Sequence, residues 1–277
     1  MIGRPGPSYV LGHAPDELAR LERQGMIYAA STRALFVAAG LGPGQRVLDL
    51  GCGAGDVSLL AGELVGPAGE VVGVDRAAAA VATARARAQA RGARHVTFLE
   101  AELDTIALPP VDAVVGRFVL MHQPDPVRVL AHAATFARPG GVVAVMESHL
   151  TALGPGWHSW PRSEAYGRLL DLMLPIIQAA GGRIDMGLQL RHTFLAAGLP
   201  EPVLAVHATP AGADAPAMCR YMADSLRSMR ATALTLRVPC PAPEDIDALE
   251  RQMLVDAARP GAIINGPVVV TARARRP

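Results

Sequence analysis

Asp49 stands two residues ahead of the run Gly51-Cys52-Gly53-Ala54-Gly55, and Asp75 follows Gly55 by 20 residues. The residues before the glycines, Val47-Leu48-Asp49-Leu50, read as a buried strand, so the glycines form the loop that leaves it for a helix. Glycine reaches positive φ and carries no Cβ to keep a ligand at a distance. Asp75 closes a second apolar run, 70–75, where a carboxylate can accept hydrogen bonds from both hydroxyls of a ribose. Loop and carboxylate together point to an adenosine-containing cofactor. A dinucleotide fingerprint would place a third glycine at position 56, but this chain has Asp56 there, an unfavourable neighbour for a pyrophosphate. Asp49 suits an ammonium group. S-adenosylmethionine carries an α-amino group and a sulfonium, NAD carries neither, and the charge pattern favours the former.

These residues need a scaffold that brings strand ends to one edge. Candidate strands at 46–50, 70–75, 95–100, 111–116 and 142–147 alternate with helix-like stretches at 55–65, 77–91 and 125–137, with a turn over 138–141. Near-continuous apolar strands separated by helices argue for a parallel sheet covered on both faces. Such sheets bind ligands outside the carboxyl ends of their strands. Two helical patterns, Pro15–Gln24 and Met26–Ala39, precede the core and suggest a cap over residues 1–40 that contains Tyr9 and Tyr28. The cofactor-binding core spans 41–150. Residues 151–277 supply helices at 162–180 and 184–197, strands at 202–208 and 267–272, and helical insertions at about 151–182 and 212–260. The second insertion, with helices at 214–236 and 243–258, reads as a substrate lid or an oligomer contact.

Composition narrows the chemistry. All 26 basic residues counted as Lys+Arg are arginine, against 25 acidic ones. A Schiff-base or phosphate-loop lysine is therefore ruled out. The near-neutral balance argues against nucleic acid as partner. Cys52, Cys219 and Cys240 match no zinc or redox spacing, and no metal is expected. No apolar run reaches membrane-spanning length, which sets the expectation of a soluble cytoplasmic protein, monomer or homodimer, with a small-molecule substrate and no membrane partner.

The chain resembles the class I S-adenosylmethionine-dependent methyltransferases of the small-molecule type. The matching pieces are VLDLGCGAG (47–55), VVGVD (71–75), FLEAELD (98–104), VDAVVGRFVLMHQPDP (111–126) and RPGGVVAVME (138–147), in that family's order and spacing. The resemblance implies an α/β Rossmann-like methyltransferase fold: a doubly wound, mostly parallel seven-stranded sheet with an N-terminal helical cap and C-terminal helical insertions. It also implies residue roles. Asp49 and the loop of Gly51, Cys52, Gly53 and Gly55 would hold the methionine moiety, and Asp75 the ribose. The family often has Gly-Asp after the third strand. Ala101-Glu102 stands here, so Glu102 would accept from the adenine amino group, with the backbone of Leu103 reaching the ring. Arg76, where an apolar residue often covers adenine, either stacks its guanidinium plane or is exposed. Arg117 and Phe118 would line the methionine and methyl-donor end, although Arg117 equally suits a structural pairing.

Transfer from a sulfonium is an in-line displacement that needs mainly proximity and alignment. An oxygen or nitrogen acceptor gains from a base that removes its proton. His122, after the fourth strand, is the first candidate base; its alternative is a loop or cap histidine. Glu147, at the end of the fifth strand, could bind a substrate hydroxyl or act as base, and His149 lies on the same edge. Trp157, Trp160 and Tyr166 either wall an apolar pocket or form cap core. The expected activity is methylation of a small apolar or aromatic metabolite, of the kind made in secondary metabolism. Oxygen is favoured as acceptor and carbon is next. The competing readings are a nicotinamide-dependent dehydrogenase and a protein that binds S-adenosylmethionine without transferring its methyl group.

Overall fold

The computed structural model describes residues 15–151 and 157–277, with side chains from residue 19 onward, and Tyr9 lies outside the described residues. The chain divides into two compact units. A sheet unit comprises Tyr28–Ser148, Met186–His207 and Val269–Pro277, and a helical unit the rest. Helix α1 (Pro15–Ala39) begins in the helical unit and ends in the sheet unit.

In the sheet unit the core strands are β1 (Arg46–Leu50), β2 (Glu70–Asp75), β3 (Val96–Glu100), β4 (Val111–Arg117) and β5 (Ala137–His149). Between them run α2 (Asp56–Val65), α3 (Ala78–Ala90) and α4 (Pro126–Ala134). Val47, Leu48, Leu50, Val114 and Val115 are almost completely buried, as expected of strands covered on both faces. Helix α3 turns Val81, Ala84 and Ala88 inward, side chains small enough to let a helix approach the sheet closely. Asp125 caps α4, its Oδ1 accepting from Arg128 N at 2.9 Å, with Pro126 in the first turn.

The helical unit contains β6 (Ser159–Trp160) and α5 (Glu164–Ala179). Helix α6 (Met186–Ala196) and β7 (Val203–His207) return to the sheet unit. Next come β8 (Pro210–Ala211), α7 (Ala215–Leu236), α8 (Pro243–Ala257), β9 (Ile263–Asn265) and β10 (Val268–Arg275). Helices α5, α7 and α8 pack on one another, and Arg227 of α7 joins Asp247 and Glu250 of α8. Strands β6, β9 and β8 form a small antiparallel sheet.

The large sheet has seven strands in the order β3-β2-β1-β4-β5-β10-β7. Strands β1 to β5 pair in parallel, while β10 and β7 are antiparallel to each other. This is the Rossmann-like, mostly parallel architecture expected from the sequence. Strand order reverses between β1 and β4, so the crevice for a ligand lies outside the carboxyl ends of those strands. Among the described residues no helix is long and apolar enough to cross a membrane.

Two expectations change in detail. The two N-terminal helical patterns form one helix, because Gly25 does not break α1. The expected turn at 138–141 lies inside β5, where Gly140 takes φ 77° and Gly140 N donates to Arg276 O. The sheet of β6, β9 and β8 gave no sequence signal.

The loop after β1 depends on glycine for reasons internal to the protein. Gly55 has φ 86°, and a Cβ there would lie 2.9 Å from Phe98 Cζ and 3.1 Å from Ala84 Cβ. Gly55→Ala is expected to lower stability by about 2 kcal/mol or more. Equilibrium unfolding in urea measures this, and an unchanged midpoint would mean that the loop relaxes freely.

Candidate cofactor and active site

The candidate site begins where β1 runs out. Gly51, Gly53 and Gly55 all adopt positive φ. Cys52 N donates to Val74 O at 2.9 Å, which pins the loop to β2. Asp75, at the end of β2, accepts from Gly53 N through Oδ2 and from Ala77 N through Oδ1, both at 2.9 Å. Its carboxylate thus joins the glycine loop to the turn that enters α3. It remains only half-buried, and each oxygen has a second lone pair for an external donor.

Asp49 is different. It is fully buried, and its Oδ2 accepts from Ser58 Oγ at 2.5 Å. The other oxygen, Oδ1, has no hydrogen-bond partner in the protein. Burial raises its pKa to about 7, opposed by the Ser58 hydrogen bond and the positive charge of Arg117. A buried carboxylate oxygen with no protein donor is a free acceptor for a ligand cation.

The end of β4 carries the next group. Arg117 Nη1 donates to Thr32 Oγ1 of α1 at 3.1 Å, and its guanidinium lies 5.9 Å from the Phe118 ring centre. Phe118 has φ 57°, a strained conformation for an aromatic residue, and the Tyr28 ring meets it edge-on at 5.0 Å. His122 ends the short 3₁₀ turn Leu120–His122 and is half-buried. Glu147 is fully buried in β5. Its Oε1 accepts from Val119 N at 2.9 Å and Leu120 N at 2.7 Å, and its Oε2 from Met121 N at 3.3 Å. Burial raises its pKa to about 7 against these three bonds.

The structure therefore gathers the glycine loop, Asp49 and Asp75, and sets Arg117 close enough for its charge to act on Asp49. Val119 touches the loop as well, since a Cβ on Gly51 would lie 2.8 Å from Val119 Cγ2. Ala101 N donates to Asp75 O at 3.0 Å, so Glu102 follows directly after the last contact of this stretch with β2. Glu102 and Arg76 are exposed, whereas Leu103 is buried. Cys52 is buried and its thiol is pushed up by burial, which leaves no reactive thiolate. In the helical unit His149 pairs with Thr151 Oγ1 at 3.3 Å. Tyr166 is fully buried there, donating to Asn265 O at 2.7 Å, so it is core; Trp157 and Trp160 are 44% and 67% exposed. Among the described residues no cluster of three or more His, Cys, Asp or Glu is placed to hold a metal.

Sequence reasoning missed three partners. Ser58 holds Asp49, and Thr32 holds Arg117. Arg87 of α3 pairs with Asp56 at 2.7 Å and also donates to Ala54 O. Arg87 offsets the charge of Asp56, so Asp56 alone does not repel a pyrophosphate. The buried Asp49 Oδ1, which has no protein donor, is the stronger discriminator. Ser58 had a detectable signal, a hydroxyl in the first turn of a helix whose following residues are mostly apolar.

The family profile described as "Methyltransferase domain" matches residues 41–183, more than half of the chain. The chain belongs to that family. Aklanonic acid methyltransferase of Streptomyces sp. strain C5 is 37% identical over 103 residues, which is 36% of this chain and 47% of that protein. The ubiquinone/menaquinone biosynthesis C-methyltransferase of Coxiella burnetii is 33% identical over 115 residues, 40% of this chain and 46% of that protein. The chain thus spans less than half the length of these curated relatives. Among solved structures, phosphoethanolamine N-methyltransferase 2 of Haemonchus contortus, in complex with S-adenosyl-L-methionine, superposes with a TM-score of 0.53 at 18% identity. That match covers 90% of this chain and 53% of the other. S-adenosylmethionine is the cofactor of the family to which this chain belongs, and the open oxygen of Asp49 and the positive-φ loop fit it.

Two substitutions probe the site. Asp75→Ala is expected to weaken S-adenosylmethionine binding about tenfold or more, because it removes the acceptor for Gly53 N and Ala77 N and with it the expected acceptor for the ribose hydroxyls. Calorimetric affinity unchanged by the substitution would remove Asp75 from the ribose contact. Glu147→Ala leaves three buried N–H groups without an acceptor and should cost about 3 kcal/mol or more of stability. Chemical unfolding reads that loss.

Proposed function

We propose that this protein transfers a methyl group from S-adenosylmethionine to a small aromatic or quinone-like metabolite. One observation carries the cofactor half of the reading: the fully buried Asp49, two residues before the glycine loop, has a carboxylate oxygen with no hydrogen-bond partner in the protein. The acceptor half draws on the relatives, whose names refer to aklanonic acid and to ubiquinone and menaquinone biosynthesis. Oxygen remains the favoured acceptor atom. Carbon is the second reading, supported by the C-methyltransferase among the relatives.

When bound, S-adenosylmethionine supplies a methyl group already activated by its sulfonium charge. Asp49 and the loop backbone from Gly51 to Gly55 hold the amino-acid end in this reading, and Asp75 the ribose. Glu102 and the Leu103 backbone hold the adenine, with Arg76 across its exposed face. Arg117 and Phe118 border the methyl-donor end. His122 is the base that takes a hydroxyl proton from the acceptor. Glu147 has its oxygens engaged by three backbone N–H groups. Its part in the reaction is to hold the turn that carries His122, so that the histidine is aimed by backbone geometry.

The deciding experiment incubates the protein with S-adenosylmethionine and a panel of phenols, naphthoquinones and aromatic polyketides, and follows release of S-adenosylhomocysteine. Release with at least one phenol or quinone is the expected result. Donor binding without release from any compound would favour a protein that holds the donor without transferring its methyl group. With an oxygen acceptor, His122→Ala should lower kcat by about 100-fold while leaving donor affinity within a few-fold. If the pH–rate profile is unaltered by the substitution, another group removes the proton.

A further inference from the structure

Asp49 combines two properties that conflict in the free protein. It is fully buried, and one of its oxygens has no donor. An ionised carboxylate in that position would be poorly solvated, so the proton is retained more readily than in water. The surrounding charges act in both directions. Asp75 at the end of β2 and Asp56 at the start of α2 oppose ionisation, and the Asp56 charge is offset by Arg87 of α3. Arg117 at the end of β4 favours ionisation, but its guanidinium is also engaged by Thr32 of α1. Ser58 donates to Oδ2. Cys52 in the loop stays a neutral thiol, because burial raises its pKa.

Resting on the cofactor reading above, we propose that Asp49 gives up a proton to solvent when it receives the α-ammonium group of the donor, so that donor affinity is set by pH. The balance is simple. A neutral Asp49 carboxyl and a donor ammonium become a carboxylate–ammonium pair plus one proton in solvent, with no bond to carbon or sulfur changed. The ammonium supplies both the missing hydrogen-bond donor and the missing positive charge, and the pair is stabilised in a site closed to water. A carboxyl poised near neutrality makes the coupling visible in the physiological range, consistent with its pKa of about 7.

The sign follows from linkage. The free protein binds more protons than the complex, so affinity rises with pH until Asp49 is ionised without help. Below that point it falls by about a factor of ten per pH unit. Above about pH 8 the donor's own α-amino group loses its proton, and affinity declines again.

The test is isothermal titration of the purified protein with two ligands, S-adenosylhomocysteine and 5′-methylthioadenosine. Both carry adenosine and a thioether, but only the first has the amino acid. Titrations run at about pH 6 and about pH 7.5, where the ligand ammonium is mostly intact, each in two buffers of different ionisation enthalpy. S-adenosylhomocysteine should bind roughly tenfold more weakly at the lower pH, with proton release appearing as a buffer-dependent enthalpy. 5′-Methylthioadenosine should show neither effect. Asp49→Asn should bind S-adenosylhomocysteine more weakly and without pH dependence; if that variant does not fold, the comparison of the two ligands still decides. Equal affinities at both pH values with buffer-independent heats would overturn the proposal, as would proton release that persists in Asp49→Asn. Failure of both ligands to bind at any pH would instead remove the cofactor from the loop, and this inference with it.

Discussion

Backbone N–H groups at the carboxyl edge of a buried parallel sheet have to be satisfied where water is excluded. In this protein carboxylates on the strands do that work. Asp75 on β2 takes the N–H groups of Gly53 and Ala77, and Glu147 on β5 takes those of Val119, Leu120 and Met121. At the opposite edge Asp112 takes Arg46 N and the Arg138 guanidinium, and these partners hold its carboxyl below the usual range despite burial. Asp49 on β1 departs from this pattern. It takes no backbone N–H at all; its only hydrogen bond is from a serine hydroxyl, and one oxygen is left open. Where three strand carboxylates complete the fold through their partners, the fourth keeps a buried oxygen without one.

The same edge explains how ligand requirements and folding requirements overlap in one short loop. A glycine-rich run after a strand is usually read as room for a ligand. Here a Cβ at Gly51 would meet Val119, and one at Gly55 would meet Phe98 and Ala84. Two of the three glycines are therefore fixed by protein packing and positive φ before any ligand is considered. Gly53 sits between them with its N–H on Asp75, so the loop is braced on both sides and its backbone is preorganised. Binding to such a loop loses little conformational entropy, because the ordering has already occurred in folding.

Much of the sheet was legible because its strands are short apolar runs with helices between them. All seven strands of the large sheet overlap the runs read from the sequence, although β5 begins five residues before the expected 142. The misreadings share a cause: a local breaker overruled by tertiary contacts. The two N-terminal helical patterns stop and start on either side of Gly25, yet α1 continues through it; a single helical glycine costs about 1 kcal/mol, and beyond it the helix buries Tyr28, Leu35 and Phe36. Pro139-Gly140-Gly141 suggested a turn, yet β5 runs through it, with Gly140 N and Gly141 O both bonded to Arg276. Those bonds join residues more than a hundred positions apart and have no local signature. The partners of the site were hidden for the same reason. Asp49 and Asp75 can be found from spacing to the glycines, but Arg87 and Thr32 reach their partners from helices whose docking the sequence does not reveal.

The turn after β4 shows how such long-range contacts become chemistry. Phe118 holds a backbone conformation that an aromatic residue rarely adopts, at a cost of about 1–3 kcal/mol. Strain of that size persists only where the surroundings over-determine the geometry. They do so here: Phe118 N bonds Met146 O, Tyr28 packs edge-on against the ring, and the next three N–H groups converge on Glu147. The strained residue lies between Arg117, whose charge acts on Asp49, and Val119, which packs against Gly51. A change in the Glu147 contacts would therefore be felt at the glycine loop through Val119 as well as at His122. The loop after β1 and the turn after β4 are thus one mechanical unit, held from β5 by a carboxylate that need not touch any ligand to matter for how one is held.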